Sequence, residues 1–242
     1  MLPIRDHNPS GRTPYVTYVL MAANILIFLS YGMADVGTVN QVYFDYAIIP
    51  ARISFGEGYY TFITSMFLHG GWMHLAGNML FLWIFGDNIE DEMGHLPYLM
   101  FYLATGVLAG LVHYLSSTQS GVPTVGASGA IAGVMGGYLL LFPKAKVDIL
   151  LILIVFFRIF SIPAWILLMV WFGMQFFGGL GSDPETGGVA YWAHAGGFVA
   201  GIVLALPVWV KHGAIRFWRV NDYHPPHPEA TYDLSRIPKI KR

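Results

Sequence analysis

Hydrophobic residues in this chain run in long stretches that contain no Lys, Arg, Asp or Glu, at residues 15–34, 96–143 and 187–210. A bilayer core asks for roughly 20 such residues per helix, so each stretch is long enough to span and the second is long enough to span twice. Polar punctuation between the runs predicts spans at residues 15–33, 71–89, 96–116, 124–142, 163–177 and 189–210. The first follows Arg5 and Arg12 in the manner of a secretory signal, but its length and the lack of a convincing cleavage site favour a retained span. Residues 35–58 form a polar, glycine-dotted connection. Arg158 and Pro163 interrupt the apolar stretch 147–177, so residues 147–160 are expected to be an interfacial connection. A Gly-Ser-Asp-Pro-Glu-Thr-Gly-Gly loop at 181–188 precedes the last span. The expected organisation is a short N-terminal segment (1–14), a six-span core (15–210) and a polar, Pro-rich, disordered C-terminal tail (211–242). The fold class is all-α membrane protein, a six-transmembrane-helix bundle.

Composition supports lipid as the main solvent: 55% of the 242 residues are hydrophobic and 11% are charged. The absence of cysteine excludes disulfides, thiolate catalysis and sulfur-ligated metals. A net charge of -1 argues against nucleic acid as a partner. Of the thirteen Lys and Arg residues, only Arg52 falls in a connection on the side away from the termini. By the positive-inside rule this supports an even number of spans with both termini cytoplasmic.

Polar side chains inside spans are costly, so those present call for a reason. They are His69, His74 and Asn78 at the second span, His113 in the third, Ser128 in the fourth, Gln175 in the fifth and His194 in the sixth. Spans two, four and six run in the same direction, and His74, Ser128 and His194 each sit a few residues inside one of them. All three should therefore lie within roughly 10 Å of the outer surface at the helical rise. Asn78 follows His74 by four residues and shares its helix face. Gly129, Gly133 and Gly137 on the fourth span, and Gly197 and Gly201 beside His194 on the sixth, allow the helices to approach closely. A serine and an imidazole within hydrogen-bond reach make a nucleophile and its base, with His74 and Asn78 as oxyanion donors. No membrane carboxylate is available to orient His194, so the site is expected to be a dyad.

Singly, each of these residues also fits helix packing; their convergence on one depth is what favours chemistry. His113 and Gln175 have no evident partner. His69 is expected to orient a loop at the outer interface, and Glu90 to cap or tie down the inner end of the second span.

Three segments resemble the rhomboid family of intramembrane serine proteases. They are His69-Gly-Gly-Trp-Met-His74-Leu-Ala-Gly-Asn78, Gly126-Ala-Ser128-Gly-Ala-Ile-Ala-Gly133 and Ala193-His194-Ala-Gly-Gly197-Phe-Val-Ala-Gly201. The resemblance implies a rhomboid-like bundle with Ser128 as nucleophile, His194 as base, and His74 and Asn78 in the oxyanion hole with the Ser128 amide. It also implies a fifth span that moves as a lateral gate and a first connection lying partly in the outer leaflet. The implied substrates are transmembrane proteins cut near their extracytoplasmic end, in contact with membrane lipids and without metal or cofactor. The compact form resembles prokaryotic members, which implies an inner-membrane location. One departure is Tyr60-Thr61, standing roughly where many relatives carry a Trp-Arg pair.

Rival chemistries fit less well. A metalloprotease needs His-Glu-x-x-His, whereas Leu75 follows His74. An aspartyl protease needs two intramembrane aspartates, and only Asp87 comes close. A non-enzymatic rhomboid-like protein that escorts membrane clients typically lacks the serine or the histidine, and both are present here. A small-solute transporter would show an inverted repeat or broken helices, and neither is evident.

Overall fold

The computed structural model describes residues 2–153, 156–183 and 187–232. In chain order these form β1 (Leu2–Asp6), α1 (Tyr15–Tyr31), α2 (Val36–Tyr46), α3 (Pro50–Ser54), α4 (Thr61–Thr64), a 3-10 turn (Ser65–Phe67), α5 (Trp72–Met93) and α6 (His95–Ser116). There follow α7 (Ser128–Leu141), β2 (Lys146–Leu153), β3 (Phe156–Pro163), α8 (Ala164–Gly181), α9 (Tyr191–Lys211) and α10 (Ile215–Val220). The expected loop at 181–188 lies partly outside the described residues, which leave out 184–186.

Among the described residues, three helices are long and apolar enough to cross a membrane: α6, α8 and α9. Helices α1 and α7 are apolar but shorter, and the last turns of α5 carry Asp87, Glu90, Asp91 and Glu92. At 14 residues α7 reaches about 21 Å, less than a bilayer core. It need not match the lipid, because every residue except Ser128 and Leu139 is buried in protein. Small side chains allow that central position. A Cβ added to Gly197 or Gly201 of α9 would run into the carbonyl oxygens of Gly129 and Gly133 of α7. Gly136 meets the Phe198 carbonyl in the same way, whereas Gly137 faces Phe101 and Ala205. The backbones of α7 and α9 therefore touch, which is how helices gain contact energy where lipid removes the hydrophobic drive.

The all-α expectation needs correction, because one end of the bundle carries a three-stranded antiparallel sheet ordered β1-β2-β3. Residues 147–160, read as an interfacial connection, supply most of its hairpin, with Lys146 opposite Pro163 and Leu153 opposite Phe156. Val147 and Ile149 join the core, and Asp148 between them is buried as well and held by hydrogen bonds. Burial alone would raise the Asp148 carboxyl, but hydrogen bonds from Ser161, His7 and Arg5 outweigh it and hold the group below the usual range.

The tail also departs from expectation, since residues 211–232 are not disordered. Phe217 is buried, the Trp218 ring packs on Trp209 at 4.7 Å, and Trp218 Nε1 donates to the Leu140 carbonyl at 3.0 Å. Farther on, Ala230 N donates to the His7 carbonyl and Tyr232 Oη to the Asp6 carbonyl, so the Pro-rich segment lies along the sheet. Residues 233–242 lie outside the described residues.

Glu90 ties down α5 as expected, and its partner is the start of α1. Pro14 precedes that helix and has no side chain to cap it. Glu90 accepts instead from Val16 N, Thr17 N and Thr17 Oγ1, each at 2.8 Å, and from His95 Nδ1 at 2.6 Å. At the other end of the bundle the first connection is pinned through the carbonyls at the end of α2. Arg52 Nη1, Tyr60 Oη and Thr64 Oγ1 donate to Phe44, Asp45 and Tyr46 at 2.6, 2.8 and 2.8 Å. Tyr60 therefore provides an anchor where the Trp-Arg pair is missing.

Candidate active site

Helices α5, α7 and α9 start at the same end of the bundle, opposite the sheet. His74 is the third residue of α5, Ser128 the first of α7 and His194 the fourth of α9. The fourth span was expected to begin near residue 124, but Thr124 is paired in extended form with Ile48 and the helix starts only at Ser128. Gly126 causes the delay. Its φ of 136° is open to glycine and strained for other residues, and a Cβ there would lie 2.9 Å from His74 Cε1 and Nε2. Ser128 consequently sits at a helix N-terminus, where the first amides have no carbonyl partner within the helix.

His194 Nε2 and Ser128 Oγ are 2.7 Å apart, hydrogen-bond distance for a hydroxyl donating to an imidazole nitrogen. Both line a cavity of about 710 Å³ together with His74, Asn78, His113 and Trp171. Gly70 N donates to His74 Nδ1 at 3.2 Å, which makes Nδ1 the acceptor and leaves Nε2 to carry the proton on the neutral ring. Asn78 Nδ2 donates to the His74 carbonyl at 3.1 Å with one of its two hydrogens. Three donors thus remain at one cavity: His74 Nε2, the second Asn78 amide hydrogen and the Ser128 backbone amide.

The structure therefore brings together the four residues singled out from the sequence. The other polar residues pair away from the Ser128–His194 contact, with one exception. His113 Nε2 pairs with Thr124 Oγ1 at 2.7 Å. His69 is fully buried, and its backbone fixes the loop before α5: its carbonyl accepts from Tyr31 Oη at 2.9 Å and Tyr43 Oη at 3.1 Å, and its amide donates to Tyr31 Oη at 2.6 Å. Its ring lies edge-on to His74 at 5.1 Å.

The exception is Gln175, which had no partner in the sequence reading. Its Oε1 lies 2.8 Å from His194 Nδ1, and Trp171, one turn earlier on α8, sets its ring 5.8 Å from the imidazole. The signal was present in the helix direction. Helix α8 starts at the sheet, so its twelfth residue lies about 17 Å along it, at the level where α9 begins.

A Rhomboid domain model matches residues 56–211. Among curated proteins, the chain is 34% identical to Rhomboid-like protein 11, chloroplastic, of Arabidopsis thaliana over 53% of its own length and 42% of the relative's. It is 35% identical to Rhomboid protease GluP of Bacillus subtilis, over 52% of the chain and 24% of that protein. With Rhomboid protein 1, mitochondrial, of Saccharomyces cerevisiae it shares 27% identity over 78% of the chain and 51% of the relative. The chain belongs to the rhomboid family. It spans between about a quarter and a half of the length of these relatives.

Proposed function

We propose that the protein is an intramembrane serine endopeptidase that cuts transmembrane segments of other membrane proteins near their extracytoplasmic end. The observation that carries this reading is the 2.7 Å approach of Ser128 Oγ to His194 Nε2 at a cavity that also holds unspent hydrogen-bond donors. In this mechanism Ser128 Oγ attacks the scissile carbonyl carbon while His194 Nε2 takes the hydroxyl proton. The carbonyl oxygen becomes an oxyanion held by His74 Nε2–H, the Asn78 amide and the Ser128 N–H. Collapse of the tetrahedral intermediate breaks the C–N bond, and the imidazolium returns its proton to the departing amine. Water entering the cavity then attacks the acyl-Ser128 ester with His194 again as base, releasing a carboxylic acid and restoring the hydroxyl.

Helices α1, α5, α6, α7, α8 and α9 would form the six-span bundle, with the sheet and both termini on the cytoplasmic side. The described basic residues agree with that orientation, since Arg52 of α3 is the exception at the site end. Relatives from a bacterium, a chloroplast and a mitochondrion support a bacterial inner membrane, or one of organellar descent, as the host.

The test is cleavage of a model single-span substrate co-reconstituted in liposomes with the wild type or with Ser128→Ala. The reading expects fragments with the wild type and none with the variant, unaffected by chelators. Intact substrate recovered bound to both proteins would instead indicate a client-escort role, and equal cleavage by both would move the chemistry away from Ser128.

A further inference from the structure

We propose that Gln175 is a positioning residue that takes the place of the missing carboxylate, holding His194 in the one tautomer able to accept the Ser128 proton; the proposal deepens the protease reading and rests on it. A neutral imidazole carries its proton on either ring nitrogen, and only the form with Nδ1–H leaves Nε2 free as a base. Selection between the two forms falls to whatever faces Nδ1. Here that group is Gln175 Oε1 at 2.8 Å.

The orientation of the glutamine amide follows from its second contact. Gln175 Nε2 donates to the Trp171 carbonyl, one turn back on α8, at 3.3 Å. Reversing the amide would set its oxygen against that carbonyl oxygen and its NH2 against Nδ1, losing one hydrogen bond and adding a repulsion. Donation therefore runs from Ser128 Oγ–H to Nε2, from Nδ1–H to Gln175 Oε1, and from Gln175 Nε2–H to the Trp171 carbonyl. Gln175 is buried on an otherwise apolar helix, where an unpaired primary amide would be costly, so its pairing with the imidazole stabilises both groups. The Trp171 ring lies tilted by 31° beside the same imidazole, which limits rotation about its last side-chain bond.

The neutrality of the amide has a consequence. A carboxylate facing Nδ1 would favour the imidazolium, whereas an amide selects the tautomer without adding charge to an apolar helix. The other titratable groups lining the cavity are His74 from α5, His113 from α6, Asp183 at the end of α8 and Tyr191 at the start of α9. The acceptor also comes from α8 while the imidazole it holds belongs to α9. The dyad is therefore best oriented while those two helices stay in register at this level.

Gln175→Met keeps the length and flexibility of the side chain and removes the acceptor, whereas Gln175→Glu keeps an acceptor oxygen and adds charge. Full-length wild type, both variants and Ser128→Ala are assayed in liposomes on one transmembrane substrate across pH, with thermal unfolding measured in parallel. Gln175→Met is expected to lower kcat by about tenfold, the usual scale for removing an orienting partner, with KM and unfolding midpoint close to wild type. Gln175→Glu should recover most of the kcat at alkaline pH and move the acidic limb of the rate profile to higher pH, a shift that a packing role would not produce. Wild-type kcat and pH profile in Gln175→Met would overturn the proposal, as would equal loss in both variants, while leaving the protease reading intact if Ser128→Ala is dead. Nitrogen-15 NMR of the histidine-labelled protein separates the two failures, because it reads the tautomer without turnover. A single Nδ1–H form of His194 in wild type that becomes mixed in Gln175→Met supports the proposal even if no substrate is cut, and an unchanged tautomer overturns it.

Discussion

The carboxyl groups at one end of α7 and the hydroxyl and imidazole at the other are handled in opposite ways. At the sheet end, the carboxyl groups are paired within the protein. Glu90 accepts four hydrogen bonds, Asp148 accepts from Arg5, His7 and Ser161, and Asp6 receives the hydroxyl of Tyr138, the eleventh residue of α7. At the other end, about 15 Å away along the same helix at the usual rise, Ser128 and His194 face a cavity together with His74 and Asn78. Buried carboxyl groups paired within the protein rigidify a structure, whereas polar groups left pointing into a cavity are available to a ligand. Substitutions at the two ends should therefore fail in different ways, through chemistry at one and through stability at the other.

The largest effect expected is the loss of all proteolysis in Ser128→Ala and in His194→Ala, with circular dichroism and thermal unfolding unchanged. Cleavage in either folded variant would erase the distinction between the ends. Next comes Asn78→Ala, which removes one oxyanion donor and leaves the nucleophile. Its kcat should fall by about a hundredfold, the usual scale for one such donor, as measured by initial rates at saturating substrate.

Glu90→Ala sharpens the comparison from the other side. It leaves the Val16 and Thr17 amides without an acceptor, and such buried orphans cost about 2 kcal/mol. The unfolding midpoint should drop while kcat per folded molecule holds, so a lost kcat at an unchanged midpoint would contradict the assignment of Glu90 to structure.

The smallest effect concerns pH. Burial pushes the Asp6 carboxyl up to about 8 from the ordinary 3.8, against the pull of the Tyr138 hydrogen bond, with the nearby Asp87 adding to the rise. A group that binds its proton more tightly when folded stabilises the fold fully below its unfolded value and loses that contribution as pH climbs through the folded one. The contribution of Asp6 to stability should therefore decline between about pH 4 and about pH 8, and Asp6→Asn should remove that component in thermal melts taken across the window.

Much of the site was legible because its chemistry is local. His74 and Asn78 share a helix face, Ser128 sits among glycines, His194 lies one turn before Gly197, and a common helix direction gave them a common level. Gln175 escaped because its helix runs the other way, so matching it to His194 required the level of a late residue on one helix against an early residue on another. The sheet escaped for a different reason. Residues 147–160 carry an apolar content that suits strand, helix or lipid interface alike, and the choice depends on β1, more than 140 residues away in sequence, which pairs Leu2 with Leu150. The tail looked disordered by composition, yet Phe217 and Trp218 pack on the bundle and Ala230 and Tyr232 hydrogen-bond to the first strand and its end. The start of α7 was read four residues early because the positive φ of Gly126 is a backbone property that hydrophobic runs do not encode.

The contact between Ser128 and His194 can be tested without any substrate. Wild type and His194→Ala, reconstituted in liposomes, are treated with a fluorophosphonate that labels activated serines, and the adduct is located by mass spectrometry. Rapid modification of Ser128 in the wild type and little in His194→Ala is the predicted result. Labelling on a different serine, or equal labelling of Ser128 with and without the histidine, would contradict the account.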